Sequence, residues 1–149
     1  MQTDAKKIII SVTNDLVGDQ RVHKVASSLI KNGYDVLLIG RLLIKSFPIE
    51  RPYKTKRMRL LFRKSALFYA EYNFRLFIFL LLHKADIFLS NDLDTLPANY
   101  YVSKLKRKQL VYDSHEYFTE VPELVHRPKI KKIWERIERR ILPKVKHSY

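Results

Sequence analysis

The sequence contains no cysteine, which excludes disulfide cross-links and thiolate metal centres as sources of stability. Glycine is almost as scarce, with Gly18, Gly33 and Gly40 the only three. They form no G-x-G-x-x-G run after the first apolar segment, so the turn that admits a dinucleotide pyrophosphate is missing and NAD or FAD binding is disfavoured. Acid is short too: 15 Asp and Glu stand against 29 Lys and Arg, a formal charge of +14. Such a surplus attracts nucleic acid, anionic headgroups or phosphorylated ligands. Zinc-finger spacing, an RNP-type Gly-aromatic segment and a Gly-rich clamp loop are all absent, so nucleic acid is not the expected partner. No apolar stretch of secretory type stands at the N-terminus, and a cytoplasmic location is expected.

Long hydrophobic runs are also lacking. The longest apolar segment is Ala66 to Leu82, unbroken only from Leu76 onward. Glu71, Asn73 and Arg75 interrupt it where charge is most costly in lipid, and the unbroken part falls far short of the roughly 20 residues that span a bilayer. A helix buried inside a domain is the expectation.

What is present fits one domain: 149 residues, 46% of them hydrophobic, suffice for a core. Lys6 to Val12 reads as a buried strand ending in Thr13, Asn14 and Asp15. A helix follows, capped by Asp19, with Val22, Val25, Ala26, Leu29 and Ile30 at helical spacing and Gly33 at its C-cap. Asp35 to Ile39, closed by Gly40, completes a βαβ unit. Pro48 and Pro52 break the next stretch, and Met58 to Phe62 is expected to be an edge strand. A long helix is predicted over Ser65 to Lys84. Ala85 to Leu89 is then a strand ending in Ser90, Asn91 and Asp92. Asp94 or Thr95 caps a helix with Pro97 in its first turn. Leu110 to Tyr112 is the last strand, ending in Asp113, Ser114, His115 and Glu116. Strands alternating with helices predict an α/β, Rossmann-like, doubly wound parallel sheet.

Ligands of such sheets bind beyond the carboxyl ends of the strands, near the reversal of strand order. Three of these ends are unusually polar: Thr13 to Asp15, Asn91 with Asp92, and Asp113 to Glu116. Amides, carboxylates and one imidazole suit a sugar or polyol. Taken singly, Asn14, Asp19 and Asp94 read more readily as caps and turn formers. His115, flanked by Asp113 and Glu116, reads equally as a proton-transferring group and as a hydrogen-bonded structural residue. Asp92 and Asp94 match a short D-x-D metal pattern, but three residues match by chance and Asp94 has a plain use as a cap; no metal is expected. The last helix, Pro128 to Leu142, sets Ile130, Ile133, Trp134, Ile137 and Ile141 on one stripe amid Lys and Arg. Its stripe is expected to pack on the sheet, with its basic side free to meet an anionic membrane and Glu135 paired to Arg139.

The segments IIISVTNDLVGDQRVHKVASSLIKNGYDVLLIGR and KADIFLSNDLDTLPANYYVSKLKRKQLVYDSHEYF resemble the N-terminal half of family 4 glycosyltransferases of bacterial surface-polysaccharide pathways. The likeness spans nearly the whole chain. It implies the N-terminal half of a GT-B fold: residues 1–149 form one Rossmann-like, acceptor-side domain, and the C-terminal domain that binds the nucleotide-sugar, with its paired-glutamate motif, is absent from this chain. It further implies retention of anomeric configuration without metal or other cofactor, and a chain catalytically silent alone. In the motif, the loop Asn14 to Gly18, including Asp15, approaches the donor diphosphate and sugar. The family's Gly-Gly pair is represented there only by Gly18. His115 lines the cleft near the transferred sugar as the catalytic candidate. Asp92 and Glu116 are acceptor-side candidates, and Asn91 and Asp113 complete the substrate-binding set. The implied partners are a nucleotide-sugar donor and a glycan or lipid-linked acceptor, with an anionic membrane surface at the inner face. The rival from another class is a free-standing basic module that binds anionic membrane or nucleic acid without catalysis.

Overall fold

The computed structural model of the protein describes residues 4–115 and 118–149. Within them the chain runs β1 (Lys7–Asp15), α1 (Gln20–Lys31), β2 (Asp35–Arg41), β3 (Lys54–Met58), α2 (Ser65–Leu82), β4 (Ile87–Asn91) and α3 (Leu96–Lys106). It continues through β5 (Gln109–Asp113), α4 (Pro122–Val125), α5 (Pro128–Ile141) and β6 (His147–Ser148). The described strands form one sheet in the order β3-β2-β1-β4-β5-β6. All its pairings are parallel. The doubly wound sheet expected from the sequence is therefore present, with strand order reversing between β1 and β4.

Period-2 alternation divides the core between the two faces. Ile8, Ile10 and Val12 of β1, Val36 and Leu38 of β2, and Leu89 of β4 pack with Val22 and Ala26 of α1. Ile9, Ile39, Phe88 and Tyr112 point the other way, against Tyr72, Leu76 and Leu80 of α2, Val102 of α3, and Trp134 and Ile141 of α5. Helix α1 is fixed at both ends as its sequence requires. The Asp19 carboxylate accepts from Val22 N at 3.1 Å, a cap contributing about 1 kcal/mol. Gly33, just past the Asn32 cap, sits at φ 85, where a side chain would be strained.

Two expectations are corrected. The edge strand is Lys54–Met58 rather than 58–62, paired from Leu37↔Lys54 to Arg41↔Met58. An edge strand is covered on one side only, so its exposed Lys54 and Lys56 cost little, and the more apolar 59–62 leaves the sheet. Helix α2 ends at Leu82 and is not buried all round. Phe68, Tyr72, Leu76 and Leu80, at i+4 spacing, cover the sheet, while Phe74 and Leu82 stand 68% and 74% exposed. A helix laid on a sheet buries one stripe, and apolar composition cannot say whether a second layer covers the other.

The polar residues inside α2 are tethers. The Asn73 side chain donates to Asp94 O at 2.7 Å and accepts from Ala98 N at 3.3 Å, joining α2 to the start of α3. The Tyr72 hydroxyl, fully buried, donates to Val12 O of β1. On α5 the expected stripe does pack inward at Trp134 and Ile141, with Trp134 edge-on to Tyr69 at 5.2 Å. Ile133 departs from it, 52% exposed. Arg139 Nε donates to the Glu135 carbonyl at 3.3 Å, backbone replacing the expected side-chain partner.

Candidate functional site

The carboxyl ends of β1, β4 and β5 open on a cavity of about 760 Å³. Its wall includes Thr13 and Asn14 from β1, Asn91 and Asp92 from the end of β4, Asp94, and His115 beyond β5. β1 runs three residues past its expected end, its register against β2 shifting between Ser11 and Asp15. Such a shift re-aims side chains. Thr13 turns inward and donates to Asp94 Oδ2 at 2.5 Å. Asn14 donates to Asp19 Oδ2 at 3.1 Å, so the N-terminus of α1 already carries a carboxylate where the family resemblance implied a phosphate.

Asp15 and Gly18 are not brought to this cavity. The Asp15 carboxylate faces the loop after β2, accepting from Val17 N at 3.1 Å and Leu43 N at 3.2 Å, with Arg57 at 3.8 Å. Nothing would lie within 4 Å of a Cβ built on Gly18. Gly40, at the end of β2, is the glycine this region depends on. A Cβ there would meet Leu16 Cδ2 at 2.5 Å and the Asn14 carbonyl oxygen at 2.7 Å. Gly40→Ala is expected to lower stability by about 1–3 kcal/mol in urea denaturation, because the obstacle is partly backbone and β1 must yield. An unchanged midpoint would show that the strand end gives way freely.

Asp94 does not cap α3. Thr95 holds the cap position, and its hydroxyl bonds Ser90 Oγ at 2.7 Å and Asn91 O at 2.9 Å rather than the helix. Asp94 is 7% exposed. Burial pushes its carboxyl up to about 7; the Thr13 bond opposes this and the neighbouring Asp92 charge adds to it. Asp92 and Asp94, the D-x-D pair, thus have different engagements, and among the described residues no group of three or more His, Asp or Glu is placed to hold a metal ion.

Asp92 adopts φ 60, a left-handed conformation uncommon outside glycine. Its backbone N donates to Asp113 O at 2.9 Å, and its Oδ1 accepts from His115 N at 3.0 Å. The strained residue thereby ties β4 to the turn after β5. The His115 ring is held from both sides. Nε2 lies 3.2 Å from Asn91 Oδ1, and because the Asn91 amide nitrogen is spent on Ser11 O at 3.4 Å, Nε2 carries the hydrogen of this pair. Nδ1 lies 2.9 Å from Asp113 Oδ1, near enough for charge attraction but off the line of a hydrogen bond. Nε2 is thus a donor, while the Nδ1 lone pair faces the buried Asp113 side chain without a hydrogen bond.

Asp113 lies behind the wall, its side chain fully buried, with Arg21 at 3.2 Å. Burial raises its carboxyl despite that guanidinium. Glu116 lies outside the described residues. Sequence reasoning missed the basic part of the wall: Arg21, Arg41, Arg63, Lys64 and Arg127. Arg41 sits with its guanidinium 4.8 Å above the Phe68 ring, its Nε buried without a hydrogen-bond partner among the described residues. These cations come from four separate elements and share no motif, so only the overall charge surplus hinted at them.

No family model and no curated protein matches the sequence. Among solved structures, the chain is similar to the C-terminal domain of a hydrogenase from Pyrococcus furiosus, with a TM-score of 0.52 and 13% identity over 75% of this chain and 93% of that one. It is similar to UGT2 of Phytolacca americana, solved with UDP-2fluoro-glucose and pterostilbene, with a TM-score of 0.51 and 16% identity over 89% of this chain and 36% of that one. It is similar also to the lipopolysaccharide outer core galactosyltransferase WaaB, with a TM-score of 0.50 and 14% identity over 73% of this chain and 32% of that one. The chain thus spans about a third of each transferase, 36% and 32%. Identities this low speak to fold alone, and that fold is the Rossmann-like parallel α/β domain found in GT-B glycosyltransferases.

Proposed function

We propose that the chain is the acceptor-side, N-terminal half of a retaining GT-B glycosyltransferase of the family 4 type. It receives a glycan or lipid-linked acceptor, while the nucleotide-sugar is held by the C-terminal domain of that fold. The observation that carries this reading is the convergence of Thr13, Asn14, Asn91, Asp92 and His115 on one cavity beside the β1–β4 reversal. These side chains offer donors and acceptors to hydroxyls. Sugar transfer builds positive charge at the anomeric carbon and negative charge on the leaving diphosphate. The Asp92 carboxylate suits the first, and the Arg and Lys that also line the cavity suit the second. The scheme calls for no metal.

The test uses the isotope-labelled chain and amide shift mapping with short-chain alkyl glycosides and alkyl-phosphate-linked sugars. Shifts are expected at Thr13, Asn14, Asn91, Asp92 and His115, and weaker ones with a free nucleotide-sugar. Shifts confined to other surfaces with every probe would end the acceptor-side reading.

A further inference from the structure

The loops that leave β2 and β3 stand together at the carboxyl edge of the sheet. Leu42 N donates to Met58 O at 2.9 Å, and Arg57 donates to Ser46 Oγ at 2.7 Å and to Phe47 O at 2.9 Å. The Glu71 carboxylate of α2 accepts from Leu61 N at 3.0 Å and Phe62 N at 2.9 Å. Both loops are thus fastened by their backbones while their side chains face outward. Ile44, Phe47 and Leu61 are 74%, 71% and 79% exposed, and Leu43 and Phe62 each 44%. Exposure of this kind, clustered on anchored loops, is not the scattered apolar exposure of an ordinary surface.

Cations are interleaved with these residues: Lys45, Arg59, Arg63 and Lys64 are all exposed. Across residues 36–70 the sequence has nine Lys and Arg (41, 45, 51, 54, 56, 57, 59, 63, 64) and a single acid, Glu50. That surplus of eight (nine minus one) supplies more than half of the chain's +14.

We infer that this edge docks on an anionic lipid surface, with the tips of the two loops in the headgroup layer and the cations on lipid phosphates. Charge complementarity selects this occupant. A second copy of the chain would bring the same surplus of eight positive charges against itself. Nucleic acid could stack on Phe47 and Phe62 but would leave the aliphatic Leu43, Ile44 and Leu61 against water and phosphate, whereas a lipid headgroup layer takes up all five. Arg41, Arg63 and Phe68 line both the cavity and the groove between the loops, so a docked chain would hold its cavity beside the lipid. This contact lies on the β2 and β3 loops, a surface separate from the basic side of α5 that the sequence suggested. It stands independently of the transferase reading.

The experiment is cosedimentation of the chain with vesicles of phosphatidylcholine alone and of phosphatidylcholine mixed with phosphatidylglycerol. Binding is expected on the mixed vesicles only, weakening as salt rises. Ile44→Ser with Leu61→Ser should weaken it at least about tenfold. Lys45→Glu with Arg59→Glu should cost about fivefold or more per charge, and Lys129→Glu with Lys132→Glu on α5 should change it little. Circular dichroism confirms that each variant is folded. The inference is overturned if folded loop variants bind the vesicles as the parent does, if the α5 pair alone abolishes binding, or if the parent fails to bind the mixed vesicles. It is overturned equally if sedimentation equilibrium shows a dimer that Ile44→Ser with Leu61→Ser dissolves, or if only nucleic acid is bound.

Discussion

Replacing Asp94 with Asn is expected to remove a destabilising contribution, on the order of 4 kcal/mol, that ionisation of this one buried group builds up in the parent chain between about pH 4 and about pH 7. The Asp94 carboxyl is buried, and burial lifts it from 3.8 to about 7. In the unfolded chain the same group ionises near 3.8. Between those values the unfolded state holds fewer protons than the folded one, so unfolding grows easier as pH rises. The stabilising contribution of protonated Asp94 is complete below the unfolded value and lost as pH passes through the folded one. Asn cannot ionise and still presents an oxygen to the Thr13 hydroxyl. Asp15, Glu71 and Asp86, whose carboxyls are held low, give slopes of opposite sign. They are common to both proteins and cancel in the difference. The measurement is urea denaturation of parent and variant across that range. The difference should open toward neutral pH; parallel curves would mean that Asp94 ionises in the folded chain near its ordinary value.

Under the proposed acceptor-side reading, His115→Ala should lower sugar transfer about 10²–10³-fold in a protein that carries both this domain and a donor-binding one, the usual loss when one oriented donor is removed from a polar site. The Nε2 hydrogen now rests on Asn91 Oδ1 at 3.2 Å, a long bond that a sugar hydroxyl can replace. The fall should appear in kcat with acceptor KM changed less, since a donor that fixes a sugar hydroxyl contributes most where the reacting atoms must be aligned, in the transition state. Asn91 orients the ring through its Oδ1, so Asn91→Ala should cost about tenfold. Initial rates with a radiolabelled nucleotide-sugar decide the matter. A folded His115→Ala protein within about threefold of the parent would remove His115 from the chemistry.

β1, β2, β4 and β5 could be read from the sequence because strands buried on both faces must be nearly unbroken apolar runs, as Ile8–Ile10 and Ile87–Leu89 are. β3 could not, because an edge strand needs one covered side and Lys54, Lys56 and Arg57 do not announce it. The outward face of α2 was misjudged because Leu76 and Phe74 are alike in hydropathy and differ only in what lies above them. In the site, the polar strand ends at Asn14, Asn91, Asp92 and His115 were recognised from their position after apolar runs, a local signal. The Thr13–Asp94 bond joins residues 81 apart, and that proximity is created by the β1–β4 pairing. For the same reason Asp15 was grouped with Asn14: neighbours along a strand point to opposite faces, and the register shift after Ser11 decides which one meets the cavity.

The strand order also sets a timetable for the chain's synthesis. β1 lies at the centre of the sheet, yet its second neighbour is β4, through pairs such as Ile8↔Ile87. Every pairing is parallel, so none can be closed by a hairpin as it leaves the ribosome. Synthesis must reach Ile87 and beyond before the free edge of β1 finds its partner. Until then, Ile8, Ile9 and Ile10 present an unpaired apolar edge to whatever is nearby. A nascent protein of this topology has its greatest need of chaperone protection in that interval, and a ribosome that stalls before Ile87 releases a product prone to aggregate.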